Sequence, residues 1–494
     1  MDDITRDTAR SYFWNQVAVV LDGATVTLAY FAVGRLSGAE RLGEFGWMFS
    51  AGGLVVLAAG LGLRESSAIL VQRAAGDDAL LAGLLRKCLL VRGAAAVCAG
   101  SAMAALVLFN GASRALAAAA CAWVAAIMLA NFIATFDLAL FRARPVAAGK
   151  SASSIVALSL VVTGAVLGST AFIFAGLALG AAAGTFFYAI PLRFLRGVRP
   201  AAYPFRRLVG LSWTLWVVGF LNYVVNLQGV PAVMKAARVE AETIGFFAAG
   251  LAIAVAANRL LIGGFANVIL AAFSRADLNG EVELARLHSL YVRASAVLTL
   301  PVLLGVAVFA DDLARIPLAR DSHRAAEVIR ILSAAFIGVR LLGGGAHSSG
   351  LFATGRHKAA LSIRVVFAVV MLSATGLAAS TGDIAKVAAA AGAVAVAVVL
   401  AEWVYLLAVR GIGLPAAALA RLGAACLLAA APAAVLAAHG GLYWTLAAGF
   451  LFAACQFAAL WLAAPLAPGE VDLIGGGGLV ARFLRLFEAA PRGD

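Results

Sequence analysis

A charge within a long apolar run is costly to bury, so it marks where a membrane chain handles polar cargo or ions. Asp22 lies in such a run, and Asn15, seven residues earlier, stands about 20° away round a helix, giving one polar face. Arg259 follows Asn258 inside another run, with Asn267 further along. Asn222 and Asn226 form an i,i+4 pair with Gln228 close behind. Arginine suits an anionic group, because its planar fork grips oxygens in pairs and its charge is permanent. Asp22 is a candidate counter-charge that takes up a proton or Na⁺. The opposing reading is an ion pair between Arg259 and Asp22 that touches no cargo.

Ser333, Arg340 and His347 follow one another at seven-residue steps, and with Gly343-Gly344-Gly345 they make a candidate polar, flexible face. A close-packed glycine seam is the competing reading. Asp137, with Arg142 and Arg144 nearby, and Glu402 are candidate ion-coupling carboxylates. Arg64 and Glu65 close an apolar run and are placed at a cytoplasmic entrance. Arg330 is placed near an outer end, its charge reaching the interface. The five cysteines and five histidines show no metal-ligand spacing, and Gly475–Gly478 lacks the pattern of an ATP-binding loop. No cofactor and no metal are expected.

These residues sit in a chain that cannot hide its surface from water. Of 494 residues, 63% are hydrophobic and 13% charged, against about 45–50% and about 25% in soluble domains. Mean hydropathy is +0.98. Apolar runs cover 11–33, 44–63, 87–110, 114–141, 151–169, 171–192, 208–233, 243–271, 288–310, 326–353, 360–380, 384–409, 414–437 and 441–465. The fold class predicted is an all-α polytopic membrane protein of about fourteen helices. Leu479–Ala490 reads as a short surface amphipathic helix.

An even number of crossings puts both termini on one side. Lys and Arg gather on that side, as in Arg193, Arg196, Arg199, Arg206 and Arg207, so the termini are predicted cytoplasmic. The net charge of +13 is read this way, and no nucleic acid is expected. Trp213 stands 199 residues after Trp14, and Gly245 stands 199 after Gly46. Leu140-Phe141-Arg142-Ala143 and Leu351-Phe352-Ala353-Thr354 end corresponding runs at an offset of 211. This internal repeat predicts two pseudo-symmetric six-helix lobes, 1–192 and 208–410. A basic cytoplasmic linker at 193–207 joins them, followed by two extra helices over 411–466 and a cytoplasmic tail, 467–494.

At this point the chain resembles the polysaccharide-transporter branch of the multidrug/oligosaccharidyl-lipid/polysaccharide exporter superfamily. The resemblance rests on Leu42-Gly43-Glu44-Phe45-Gly46, Thr243-Ile244-Gly245-Phe246-Phe247, Ala271-Ala272-Phe273-Ser274-Arg275 and Leu351-Phe352-Ala353-Thr354-Gly355-Arg356. Together with the two-lobe plan these span most of residues 10–410. The family often has a proline just before the serine of the third segment, where this chain has Phe273. The resemblance implies an inner-membrane, non-enzymatic flippase of undecaprenyl-pyrophosphate-linked repeat units for O-antigen or exopolysaccharide. It also implies a cleft between lobes, lined largely by helices one, two, seven and eight. There Arg259 would meet the diphosphate, and Asn15, Asn222, Asn226 and Asn258 the sugar hydroxyls, with Asp22, Arg340 and His347 also lining the cleft. Polymerase and glycosyltransferase partners would accompany such a protein, and no ATP site is visible. A drug exporter or peptidoglycan-precursor flippase of the same superfamily is the first alternative. A membrane-embedded sugar polymerase or glycosyltransferase is the second, and no extramembrane loop is long enough to favour it.

Overall fold

The computed structural model of the chain describes residues 2–74, 76–140, 142–195, 197–201, 205–260, 273, 281–439, 442–463, 465–466 and 484–488. Among them the architecture is helical, with one isolated β-bridge between Leu466 and Glu488. The first helices are α1 (Asp2–Gly60), α2 (Leu63–Ala74), α3 (Asp78–Phe109), α4 (Arg114–Ala139), α5 (Ala143–Val166) and α6 (Thr170–Ala189). A 3₁₀ turn over Pro191–Leu195 leads to α7 (Phe205–Val225), α8 (Val230–Ala236) and α9 (Ala241–Leu260). Beyond them lie α10 (Glu281–Val308), α11 (Ala310–Arg315), α12 (Ser322–Leu341), α13 (Ala346–Ala353) and α14 (His357–Ala379). The last are α15 (Ile384–Arg410), α16 (Ala416–Ala437) and α17 (Leu442–Ala463). Most of Leu479–Ala490, expected as a surface helix, lies outside the described residues.

Helix ends follow local chemistry. The Ser113 and Ser169 hydroxyls and the Asp77 carboxylate accept the N–H groups of Leu116, Phe172 and Leu80 at the starts of α4, α6 and α3. Large apolar side chains such as Val97, Ile155, Val166, Leu428, Phe450 and Leu462 are exposed on the helices. Only a lipid solvent tolerates such a surface, so the chain is a multi-pass membrane protein.

Eleven helices among the described residues are long and apolar enough to cross a membrane, or twelve if the bent pair α7–α8 is one span. Several elements differ from the sequence expectation. The first two runs are one helical stretch, interrupted at Gly38 (φ 85°, ψ 175°), because Arg35, Glu40 and Arg41 are good helix formers. The third, expected from residue 87, begins at Asp78, so Arg86 lies within the helix and Lys87 and Arg92 lie well past its start. The tenth is divided: α12 ends at Leu341, and a turn with Gly343 (φ 78°) and Gly345 (φ 94°) precedes α13.

The chain forms two compact units. One comprises Met1–Ala249, Pro317–Ala319 and Thr375–Gly382; the other Gly250–Ile316, Arg320–Ala374 and Asp383–Asp494. In the first, Leu70, Val71, Leu84, Phe132, Phe136 and Tyr188 form one buried cluster. Phe49 stacks on Trp123 at 5.3 Å beside Tyr30, Phe45 and Phe174. Gly176, Gly180 and Gly184 let α6 lie against Leu160, Ala157 and Ser153 of α5, the small-residue packing that lipid-embedded helices favour. Trp216 Nε1 of α7 donates to the Leu57 and Ala58 carbonyls at 2.9 Å, satisfying the end of α1. The second unit is centred on Leu290, Val292, Val297, Leu351, Leu406 and Leu422.

Within the first unit α1 and α9 cross reciprocally. Gly43 abuts the Ala241 carbonyl and Gly245 abuts that of Ala39. Ala241 and Gly245 stand 202 residues after Ala39 and Gly43, and the flanking segments read Ala39-Glu40-Arg41-Leu42-Gly43-Glu44-Phe45 and Ala241-Glu242-Thr243-Ile244-Gly245-Phe246-Phe247. The repeat register at this crossing is therefore three residues from the offset of 199, which pairs Gly46 with Gly245.

Candidate functional site

In the first unit a row of polar contacts joins α1 to α5. Lys150 Nζ donates to Asp22 Oδ1 at 2.6 Å, with the lysine side chain mostly buried and the aspartate 60% exposed. One turn further, the Thr25 and Ser154 hydroxyls stand 2.6 Å apart, and the Ser37 hydroxyl donates to the Ala165 carbonyl. Asp22 thus has a cation of its own unit beside it. Lys150 belongs to α5, because the residues around Arg142, Arg144 and Lys150, expected as a loop, are already helical.

Asn222 is half-buried near the end of α7, and its carbonyl accepts the N–H of exposed Asn226 at 3.0 Å. There the helix breaks through Leu227 (φ 65°) and turns by 73° into α8. Ser50 Oγ donates to the Gln228 carbonyl at 2.5 Å and Tyr223 donates to the Ser50 carbonyl, so the unwound stretch is held against α1. Asp137 is fully buried near the end of α4, with neither carboxylate oxygen hydrogen-bonded among the described residues. Arg142, an expected partner, donates instead to the Pro191 carbonyl at 2.7 Å and lies over Phe194. The side chains of Asn15, Arg64, Glu65 and Arg259 lie outside the described residues.

In the second unit Arg340 is buried, and its guanidinium binds Asn258 twice: Nε to the side-chain oxygen at 2.9 Å and Nη2 to the carbonyl at 3.3 Å. Nη1 donates to the Gly344 carbonyl at 3.1 Å, clasping the turn between α12 and α13. His347, also buried, contacts the Leu342 carbonyl through Nε2 and His288 through Nδ1, the latter at 3.0 Å. Glu402 of α15 is paired with Arg364 of α14, Nε to Oε1 at 3.1 Å, with the two side chains 4% and 10% exposed.

Sequence reasoning singled out Asp22, His347 and Glu402 but not the Lys150, His288 and Arg364 that pair with them, whereas Arg340 and its partner Asn258 were both singled out. It also missed Arg92, a buried arginine whose Nη1 and Nε donate to the Gly60 and Met128 carbonyls at 2.9 and 3.2 Å. Lys150 falls between the apolar runs 114–141 and 151–169, and Arg92 and Arg364 fall near the starts of the runs 87–110 and 360–380. The rule that singled out Asp22, a charge beside long apolar stretches, applies to them equally.

No family model matches the chain, and no curated protein is similar enough in sequence to report. Solved structures do match in fold. The inward-closed lipid II flippase MurJ aligns over 94% of this chain and 98% of its own, with 14% identity and a TM-score of 0.65. An inward-facing multidrug-resistance MATE transporter of the MOP superfamily aligns over 80% of this chain and 99% of its own, with 16% identity and a TM-score of 0.62. A MOP-superfamily transporter from Pyrococcus furiosus aligns over 82% and 95%, with 14% identity and a TM-score of 0.53. The fold is that of the MATE and MurJ transporters.

Proposed function

We propose that the chain is a flippase that moves an undecaprenyl-pyrophosphate-linked oligosaccharide, an O-antigen or exopolysaccharide repeat unit, across the bacterial inner membrane by alternating access. The observation that carries this reading is the extent of the fold match. Likeness to a lipid II flippase runs over 94% of the chain, while the MATE match covers 80%. A lipid-linked cargo is the reading that the longer match favours. The family motifs around Gly43, Gly245 and Leu351 add the sugar-polymer branch.

In this reading the chain crosses fourteen times, with both termini cytoplasmic. The stretch Val17–Gly60 is about 66 Å long as a helix, twice the roughly 30 Å apolar slab, so Gly38 divides it into two crossings. The α7–α8 pair supplies another and α12 the last. Arg259 meets the diphosphate, while Asn15, Asn222, Asn226 and Asn258 serve the sugar. Asp22, paired with Lys150 of its own unit, is the counter-charge, and Arg64 and Glu65 flank the cytoplasmic entrance. Arg340 and His347 belong to the same proposed cargo-binding set, Arg340 holding Asn258 and both holding the glycine turn of the second unit. Glycosyltransferases would supply the cargo and a polymerase would consume it.

The test is flipping of fluorescent undecaprenyl-pyrophosphoryl oligosaccharide in proteoliposomes, followed by access to an external quencher. Protein-dependent flipping lost in Arg259→Ala supports both class and diphosphate site. Flipping that survives the substitution moves the anion site elsewhere. Inactivity on this lipid with activity on lipid II favours the second reading, a peptidoglycan-precursor flippase, which the printed function of the MurJ neighbour supports.

A further inference from the structure

His288 on α10 and His347 on α13 are both fully buried, and their rings stack with centroids 5.1 Å apart. Their hydrogen bonds settle which nitrogen carries each proton. A neutral imidazole has one N–H and one lone pair, and a carbonyl oxygen only accepts. His347 Nε2 faces the Leu342 carbonyl, so the proton of that ring is on Nε2 and its Nδ1 is bare. Bare Nδ1 must accept, so His288 donates from Nε2 across the 3.0 Å contact. His288 Nδ1 is then a lone pair, buried and without a hydrogen-bond partner among the described residues.

We propose that this pair is a proton-loading site whose occupancy is felt at the turn joining α12 to α13. A proton arriving at His288 forms a new Nδ1–H bond. The His288 Nε2–H proton passes to His347 Nδ1, and His347 becomes the imidazolium while His288 returns to neutrality. Nothing else breaks, and the only co-reactant is the proton. His347 still donates to the Leu342 carbonyl, the first residue past α12.

The same turn is held from its other side by Arg340, through the Gly344 carbonyl. A loaded proton therefore sets a second cation against a guanidinium across three glycines. Gly343 and Gly345 both have left-handed backbones, and a Cβ on Gly343 would stand 3.1 Å from the His347 ring, so the turn is shaped around that ring. Among the described residues, the titratable and charged groups beside the glycine turn are Tyr291 on α10 and Arg340 on α12; α15, packed against α13, carries Glu402, paired with Arg364, together with Tyr405 and Arg410. The other ionisable side chains of α12 lie towards its opposite end. α13 carries no other, α17 has no charged residue, and α16 has only exposed Arg421. Repulsion between the imidazolium and the guanidinium across the glycine turn is the means by which proton occupancy biases the joint.

This inference rests on the transport reading and names the proton as its coupling ion. The experiment uses the full chain in proteoliposomes with ¹⁵N-labelled histidine, as wild type, His288→Gln and His347→Gln. The two variants assign the signals. Expected are two Nε2–H tautomers at neutral pH, linked so that removing either ring shifts the other, and joint protonation as pH falls. Flipping of the lipid-linked oligosaccharide is measured with and without a pH gradient. With one proton per cycle, a gradient of about one unit shifts the substrate distribution about tenfold. That response is lost in His288→Gln while flipping without a gradient persists in that variant. Independent titration of the two rings, a pair that stays neutral at every pH, or an undiminished gradient response in His288→Gln overturns the proposal. A wild type that flips nothing overturns the transport reading, and the nitrogen signals still decide whether the pair loads a proton.

Discussion

Gly43 and Gly245 each lie against the backbone of the other's helix. A Cβ on Gly43 would stand 1.7 Å from the Ala241 carbonyl oxygen, and one on Gly245 would stand 1.9 Å from that of Ala39. Neither obstacle is a side chain that can swing aside, so the crossing admits glycine alone. Gly43→Val is expected to destabilise by about 1–3 kcal/mol through overpacking, with Gly245→Val similar. Gly93→Ala in α3, where nothing lies within 4 Å of the added carbon, is the control and is expected to be neutral or mildly stabilising. Thermal unfolding of the purified variants in detergent distinguishes them; equal midpoints for Gly43→Val and Gly93→Ala would contradict the close crossing.

The Arg364–Glu402 pair predicts a different asymmetry. Both side chains are almost wholly buried, so removing one partner leaves the other's charge uncompensated. Glu402→Gln or Arg364→Met alone is expected to cost about 3–5 kcal/mol, and the double change far less. A thermal-stability double-mutant cycle checks this. If Glu402 instead serves ion coupling, Glu402→Gln will abolish ion-driven transport in protein whose midpoint hardly moves.

Individual charges were legible because a polar residue in an apolar run is conspicuous on paper. Their partners were not. Lys150 was hidden by its neighbours Arg142 and Arg144, which made the start of α5 look like a loop. His288 and His347 are 59 residues apart, and no periodicity links them; only the packing of α10 against α13 brings the rings together. Helix lengths were blurred for a related reason. Arg35, Glu40 and Arg41 are polar enough to suggest a connection yet helical enough to continue α1 on both sides of Gly38. The repeat expected from Trp14 and Trp213 has an offset of 199, whereas the reciprocal glycine contacts of α1 and α9 stand at 202.

Asp383 gives a pH dependence outside the membrane. Its carboxylate caps α15, accepting the N–H groups of Lys386 and Ala385, and these bonds, that of Lys386 foremost, hold its pKa below the ordinary carboxylate value. A carboxylate held low in the folded state stabilises fully above its unfolded value, about pH 4, and loses that contribution as pH falls through the lowered one. Asp383→Ala is expected to lose about 1 kcal/mol at neutral pH. The gap between wild type and variant should narrow on acidification below pH 4. Thermal midpoints from pH 3 to 7 follow it; a gap that widens towards acid would contradict the cap.

The Asp22–Lys150 pair separates charge balance from substrate contact. Its nitrogen–oxygen distance is 2.6 Å, but the aspartate is more than half exposed, so the pair itself contributes only about 0–1 kcal/mol to stability. Asp22→Asn and Lys150→Gln should therefore fold normally, and any loss of flipping reflects function. If the pair serves only to neutralise two intramembrane charges, the exchanged variant carrying Asp22→Lys with Lys150→Asp will recover the flipping that either single charge reversal loses. If the Asp22 carboxylate itself meets the cargo or a coupling ion, the exchange will not rescue, since the charge has moved from α1 to α5. Initial flipping rates of the two single reversals and the exchanged variant, at equal protein per vesicle, decide between these roles.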